Sequence, residues 1–184
     1  MIVQLPYTHQ FQFAGLYAAK EKGYFKEEGL QVELREMQLG MRPADEVVAG
    51  RAHYGLGAAS VFVDRMNGAP IVALAAIFQH SPFGLMVAAE SGIATPLDLV
   101  GRRIAVNPHS RNIELAAMFH LEGIQLGQYR PVPDVPQHNE LLHGEADAIL
   151  IFVTDTPFDV ERAGFRYKLI RPADYGVDFY GDTF

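Results

Sequence analysis

The 184-residue chain has no cysteine and no tryptophan. Without cysteine there is no disulfide, thiol nucleophile, thiolate zinc site or iron–sulfur ligation; the absence does not fix a compartment, since oxidising and reducing locations both tolerate it. Positive charge is also scarce. Fifteen Lys and Arg face 22 Asp and Glu, for a net charge of −7, and no basic cluster occurs, which argues against nucleic acid as a partner. Long apolar runs are missing too: the longest, Ile71–Phe78, falls far short of the roughly 20 residues that span a bilayer. Met1-Ile2-Val3-Gln4 lacks the basic start and hydrophobic region of a signal peptide, so the expectation is a cytosolic chain or a mature domain whose export segment was removed. What is present is 49% hydrophobic and 20% charged, the composition of a folded core in one domain or two small lobes.

Apolar strands alternate with amphipathic helices. Ile2–Leu5 reads as a strand, His9–Lys22 as a helix stopped by Gly23, and Leu30–Leu34 as a half-buried strand with alternating Leu, Val and Leu. Pro43–Ala49 is expected to be a helix, His53–Leu56 a strand and Ser60–Met66 a helix stopped by Asn67-Gly68. Ile71–Phe78, apolar on both faces, is expected to be a central parallel strand covered by helices. After Gln79-His80-Ser81-Pro82 come strands at Phe83–Ala89, Arg103–Val106, Ala146–Val153 and Tyr167–Ile170, an extended stretch at Val132–Val135, a one-turn helix from Thr95-Pro96, and helices at Ser110–Leu121, Pro136–Leu142 and Pro157–Arg162. This order implies α/β architecture with wound, mostly parallel sheets. The final stretch Asp174–Asp182 is too aromatic for a solvated tail and needs a surface to pack on.

No HExxH, GxSxG or GxxxxGK[ST] motif occurs, so local support for zinc, serine-elbow or nucleotide-phosphate chemistry is missing. Gly55-Leu56-Gly57-Ala58-Ala59-Ser60 has the form of a dinucleotide-binding turn, yet no acidic residue follows about 20 positions on; a tight strand–helix turn lining a pocket fits better. His9 and His80 follow strands, where wound sheets bind ligands, and each serves either ligand contact or structural hydrogen bonding. Asn107–Asn112 opens a helix with Ser110 as natural N-cap. Its free N–H groups either hold an anionic or carbonyl group of a ligand or are satisfied by cap and water. Phe152 followed by Thr154 and Asp155 suits either a cleft wall or a helix cap. All these segments are strand exits, and their aromatic and polar inventory describes a binding site better than an active site.

The stretch Gln4–Gly15, followed by Ala18-Ala19-Lys20-Glu21-Lys22-Gly23-Tyr24-Phe25, resembles periplasmic solute-binding proteins of the nitrate/sulfonate/taurine and thiamine-pyrimidine-precursor type. Val48–Gly55, Ser91–Ile104 and Gly144–Ala148 match the same pattern, and Arg171–Asp182 is similar to the extracytoplasmic sensor-domain versions in histidine kinases and cyclic-dinucleotide enzymes. The resemblance implies a type-2 periplasmic-binding-protein fold lacking its C-terminal return segment. Its expected parts are an incomplete first lobe at 1–80, a second lobe at 81–173 and a return crossover at 174–184. It implies a small polar or heteroaromatic ligand bound between the lobes, without catalysis or cofactor, in a periplasmic or extracytoplasmic location. Partners would be a membrane-embedded permease or a fused sensor kinase or cyclase, with a homodimer through the incomplete first lobe as compensation. Expected ligand contacts in the first lobe are His9, Gln10, Phe11, Gly57, Ser60 and Gln79. Further on they are His80, Ser110, Asn112, Phe152, Thr154, Asp178 and Tyr180, with Phe11 and Phe152 as walls. The same superfamily holds a pyrimidine-precursor synthase that uses iron, pyridoxal phosphate and a cysteine-rich motif. That class has a lysine and a histidine where this chain has Gly57 and Val61, and its cysteines fall near Val177–Tyr180, so its activity is the disfavoured alternative.

Overall fold

Apolar residues alternating along short extended stretches put one side chain in two on each face of a sheet, and this alternation builds both units of the chain. A computed structural model describes residues 1–38, 40–106, 112–133 and 139–184, with position 139 as backbone alone. One unit comprises Met1–Ile77 with Tyr180–Phe184, the other Phe78–Phe179.

In the first unit, β1 (Ile2–Gln4), β2 (Glu33–Arg35) and β3 (Tyr54–Gly55) form a parallel sheet in the order β2-β1-β3. Its core is small: Val3, Leu5, Phe13, Leu34 and Leu56, with Leu16, Tyr17, Val32 and Phe184 packed against it. The helices are α1 (Ala14–Glu21), α2 (Tyr24–Glu27), α3 (Pro43–Val48) and α4 (Ser60–Met66). α3 starts on Pro43, whose missing N–H costs nothing in a first turn. Buried Glu46 in that helix is gripped by Arg51 at 2.6 and 2.8 Å, which holds its carboxyl below the usual range.

The expected buried strand at Ile71–Phe78 does not form. Val72 and Leu74 are 73% and 62% exposed. The main-chain partners of this segment are the last residues of the chain: Leu74 N–H donates to Phe184 O (2.7 Å), Ile77 N–H to Asp182 O (2.8 Å) and Phe184 N–H to Ala75 O (2.8 Å). Thr183 also exchanges main-chain bonds with Gly57 at 2.6 and 2.9 Å. Asp182–Phe184 therefore lie between Gly57 and Leu74–Ile77 as an antiparallel insert. An uninterrupted apolar run is compatible with either burial or exposure, and here it fixed neither the strand nor its cover.

In the second unit, β4 (Phe83–Ala88), β5 (Arg103–Val106), β6 (Arg130–Pro133), β7 (Ala148–Phe152) and β8 (Tyr167–Ile170) form a five-stranded sheet ordered β6-β5-β7-β4-β8. β5 runs parallel to β6 and β7, whereas β4 is antiparallel to both its neighbours. Alternation divides the sheet cleanly. Leu85, Val87, Ile104, Val106, Ala148 and Leu150 enter one core, which α5 (Ile113–Leu121) completes with Leu115, Met118 and Phe119. Met86, Ala105, Ile149 and Ile151 enter the opposite core with Leu141 of α6 (Asn139–Leu142) and Val160 of α7 (Thr156–Arg162). Ser110 lies outside the described residues. The cap before α5 is Asn112, which takes up the left-handed region at φ +45°, a conformation that Asn tolerates better than most residues. The aromatic tail packs, as its composition requires: Tyr175, Val177 and Phe179 lie against the first of these two cores.

Candidate functional site

In the first unit the chain leaves β1 through a loop that carries His9, Gln10 and Phe11. His9 is fastened on three sides. Its N–H donates to Glu36 Oε1, its Nδ1 meets Tyr17 Oη at 2.8 Å, and its ring stands edge-on to that of Tyr17 at 5.7 Å. Buried Gln4, at the end of β1, fixes the neighbouring β2 exit by donating to the carbonyls of Arg35 and Glu36. Gln10 Nε2 donates to Gln12 Oε1 (2.7 Å), and Gln12 Nε2 donates to Asp182 Oδ2 (2.6 Å). Asp182 is buried, which pushes its carboxyl up. Phe11, at the head of this loop, is 90% exposed. Gly57 makes room for a close approach, since a Cβ there would stand 2.3 Å from Val61 Cγ1. Its N–H and C=O are both engaged by Thr183. Ser60 is half-buried at the start of α4, and Tyr180 is exposed.

In the second unit the antiparallel course of β4 decides the geometry. Its first residue, Phe83, sits opposite Phe152, the last residue of β7, so the entry to β4 lies beside a strand's carboxyl end. The two rings meet edge-on, 4.6 Å between centroids and 82° between planes. Val153 N–H donates to Pro82 O (2.8 Å), and Phe83 N–H to Ser81 Oγ (3.3 Å). One step further, the Asp178 carboxylate receives Ser81 N–H at 3.0 Å and lies 2.6 Å from His80 Nδ1. The His80 bond, then that of Ser81, holds the Asp178 carboxyl below the usual range. His80, Ser81, Phe83, Phe152 and Asp178 thus form one connected neighbourhood. Gln79 and Thr154 are exposed nearby in sequence, and Asn112 is half-buried ahead of α5.

Phe83, Gln12, Tyr17 and Glu36 were missed by sequence reasoning. Only Phe83 carried a signal, as an aromatic residue opening a strand. Another missed group is Glu114, buried in the first turn of α5 with Oε1 unpartnered; burial pushes its carboxyl up to about 6. Among the described residues no three His, Asp or Glu side chains gather as a metal site, and no helix is long and apolar enough to cross a membrane.

The fold is that of the periplasmic solute-binding proteins. The chain superposes on the periplasmic aliphatic sulphonate binding protein SsuA from Escherichia coli with a TM-score of 0.70 at 18% identity, covering 97% of this chain and 59% of that one. Residues 10–184 match the family described as NMT1/THI5 like, and the chain belongs to that family. It is 29% identical over 175 residues to the formylaminopyrimidine-binding protein of Halalkalibacterium halodurans, covering 91% of this chain and 52% of the relative. It is 28% identical over 105 residues to the riboflavin-binding protein RibY of Chloroflexus aurantiacus, covering 55% and 30%. The chain thus spans about half of the first of these relatives and less than a third of the second.

Proposed function

We propose that this chain is the ligand-binding part of an extracytoplasmic solute-binding protein, working with a membrane permease or a sensor kinase or cyclase, and that it binds without catalysing. The observation that carries the reading is the connected neighbourhood at one end of the five-stranded sheet. It joins an edge-on aromatic pair to a His–carboxylate pair at a strand's carboxyl end, where wound sheets take small molecules. Aromatic rings supply the faces a flat solute needs, and His80 with Asp178 supplies direction. Ser81 Oγ, the hydroxyl next to this pair, accepts from Phe83 N–H, which favours a structural serine over a nucleophile. In the first unit, His9, Gln10, Phe11, Ser60 and Tyr180 are the proposed contacts. The names of the two curated relatives, one for an aminopyrimidine and one for riboflavin, favour a polar heteroaromatic ligand.

Thermal unfolding and calorimetry with formylaminopyrimidine and riboflavin as probes test this. A ligand in hundredfold excess over its Kd stabilises the folded state by about 2.7 kcal/mol. A saturable heat with a raised Tm for either probe is expected. No heat and no shift with both would overturn the heteroaromatic reading.

A further inference from the structure

We propose that Asp178 is a positioning residue: it holds His80 in the Nδ1–H form, so that Nε2 is presented as an acceptor for an N–H or O–H group of the ligand. This deepens the ligand-binding reading and rests on it. Three observations converge. First, the carboxylate is held on both oxygens by consecutive residues, with Oδ2 at 2.6 Å from His80 Nδ1 and Oδ1 receiving Ser81 N–H at 3.0 Å. An ionised carboxylate only accepts, so Nδ1 must carry the proton, and a neutral imidazole then offers Nε2 as its acceptor. Second, both partners stand on fixed backbone. Val177 is buried and its N–H donates to Pro172 O at 3.0 Å, Phe179 packs on the core, and Pro82 on the other side is buried. Gly176, at φ +80°, makes the turn that sets Asp178 between those two anchors. Third, the His80 side chain is 84% exposed. A hydrogen bond that open to water contributes little to stability, so orientation is what the contact supplies. The proposed ligand group is therefore a donor such as a ring N–H or an exocyclic amine.

Two measurements test this. Ring ¹⁵N shifts of His80, at mildly alkaline pH and without ligand, should show the Nδ1–H form in the native protein and its loss in Asp178→Ala. Calorimetry with formylaminopyrimidine should show Asp178→Ala and His80→Ala each weakening binding roughly tenfold, the scale of one lost directional bond. His80→Gln, whose amide oxygen can stand near the place of Nε2, should retain most of the affinity. In the His80→Ala background, Asp178→Ala should cost nothing further, because Asp178 acts through the ring. The proposal is overturned by an Nε2–H ring in the native protein, or by an Asp178→Ala loss that persists unchanged without His80. If the native protein binds no probe, the heteroaromatic reading fails, while the ring shifts still decide whether Asp178 sets the tautomer.

Discussion

The two apolar stretches Ile71–Ile77 and Ala148–Phe152 look alike in sequence and differ completely in the folded chain. β7 lies between β5 and β4, sends Leu150 into one core and Ile149 and Ile151 into the other, and is covered on both faces. The earlier stretch leaves Val72 and Leu74 mostly exposed and is held through main-chain bonds to Asp182–Phe184. The same contrast separates the units. The second has a five-stranded sheet between two cores, while the first has three short strands and one small cluster. A run of apolar residues states what a segment tolerates; neighbours contributed from elsewhere in the chain decide whether it is buried.

The sharpest way to break this comparison is to shorten the same kind of side chain in each stretch. Ile149→Ala, in a fully buried position, should cost about 2–5 kcal/mol. Leu74→Ala should stay within about 0.5 kcal/mol, as exposed substitutions do. Denaturant titration of both variants reads the difference, and equal losses would mean that the first-unit stretch is buried after all.

Next in size is the contribution of the inserted tail. Thr183→Pro removes the N–H that donates to Gly57 O at 2.6 Å, with an expected loss of about 1–3 kcal/mol. Hydrogen exchange should quicken at Gly57, Leu74 and Ile77 while amides of β4, β5 and β7 keep their protection. Uniform quickening across both units would show that they unfold as one.

The most gradual effect is a pH dependence in the second unit. The Glu114 carboxyl, at about 6 against an ordinary 4.5, binds its proton more tightly when folded than when unfolded. Its contribution is therefore fully present below about pH 4.5 and lost as pH rises through about 6, a decline of about 2 kcal/mol. Glu114→Gln should flatten this slope, as followed by denaturation of the second unit between pH 4 and about 7. An unchanged slope would place the titrating group elsewhere.

Much of the second unit was legible in the sequence because its strands are apolar and closed by turn residues: β5, β7 and β8 fall within the stretches expected of them. The first unit was harder. Its three short strands fall on or beside the stretches expected of them, but the apolar run Ile71–Phe78 misled, and the pairing of Gly57 with Thr183 leaves no local mark. The expected helix start at Ser110 lies outside the described residues, and α5 runs Ile113–Leu121 behind a left-handed Asn112. At the candidate site, a strand exit pointed to Phe152, His80 was placed after a strand at Ile71–Phe78 that does not form, and Asp178 entered with the family resemblance. Their assembly was hidden because His80 and Asp178 stand 98 residues apart, and because alternation cannot reveal that β4 runs antiparallel and brings Phe83 to Phe152.

The tail that slots between Gly57 and Leu74–Ile77 also sets an order of assembly. Phe78–Phe179 is one unbroken stretch, so it can close as soon as it leaves the ribosome, domain by domain from its own contacts. The first unit cannot complete its hydrogen-bonding until Asp182–Phe184 have been synthesised, although most of it is made first. Pairing such distant segments from an open chain is slow, because loop closure must precede any reward. A folded second unit shortens that search: His80 and Ser81, just inside its entry, are fastened to Asp178, just inside its exit. The unit made later thus brings together the two chain segments that the earlier one must join.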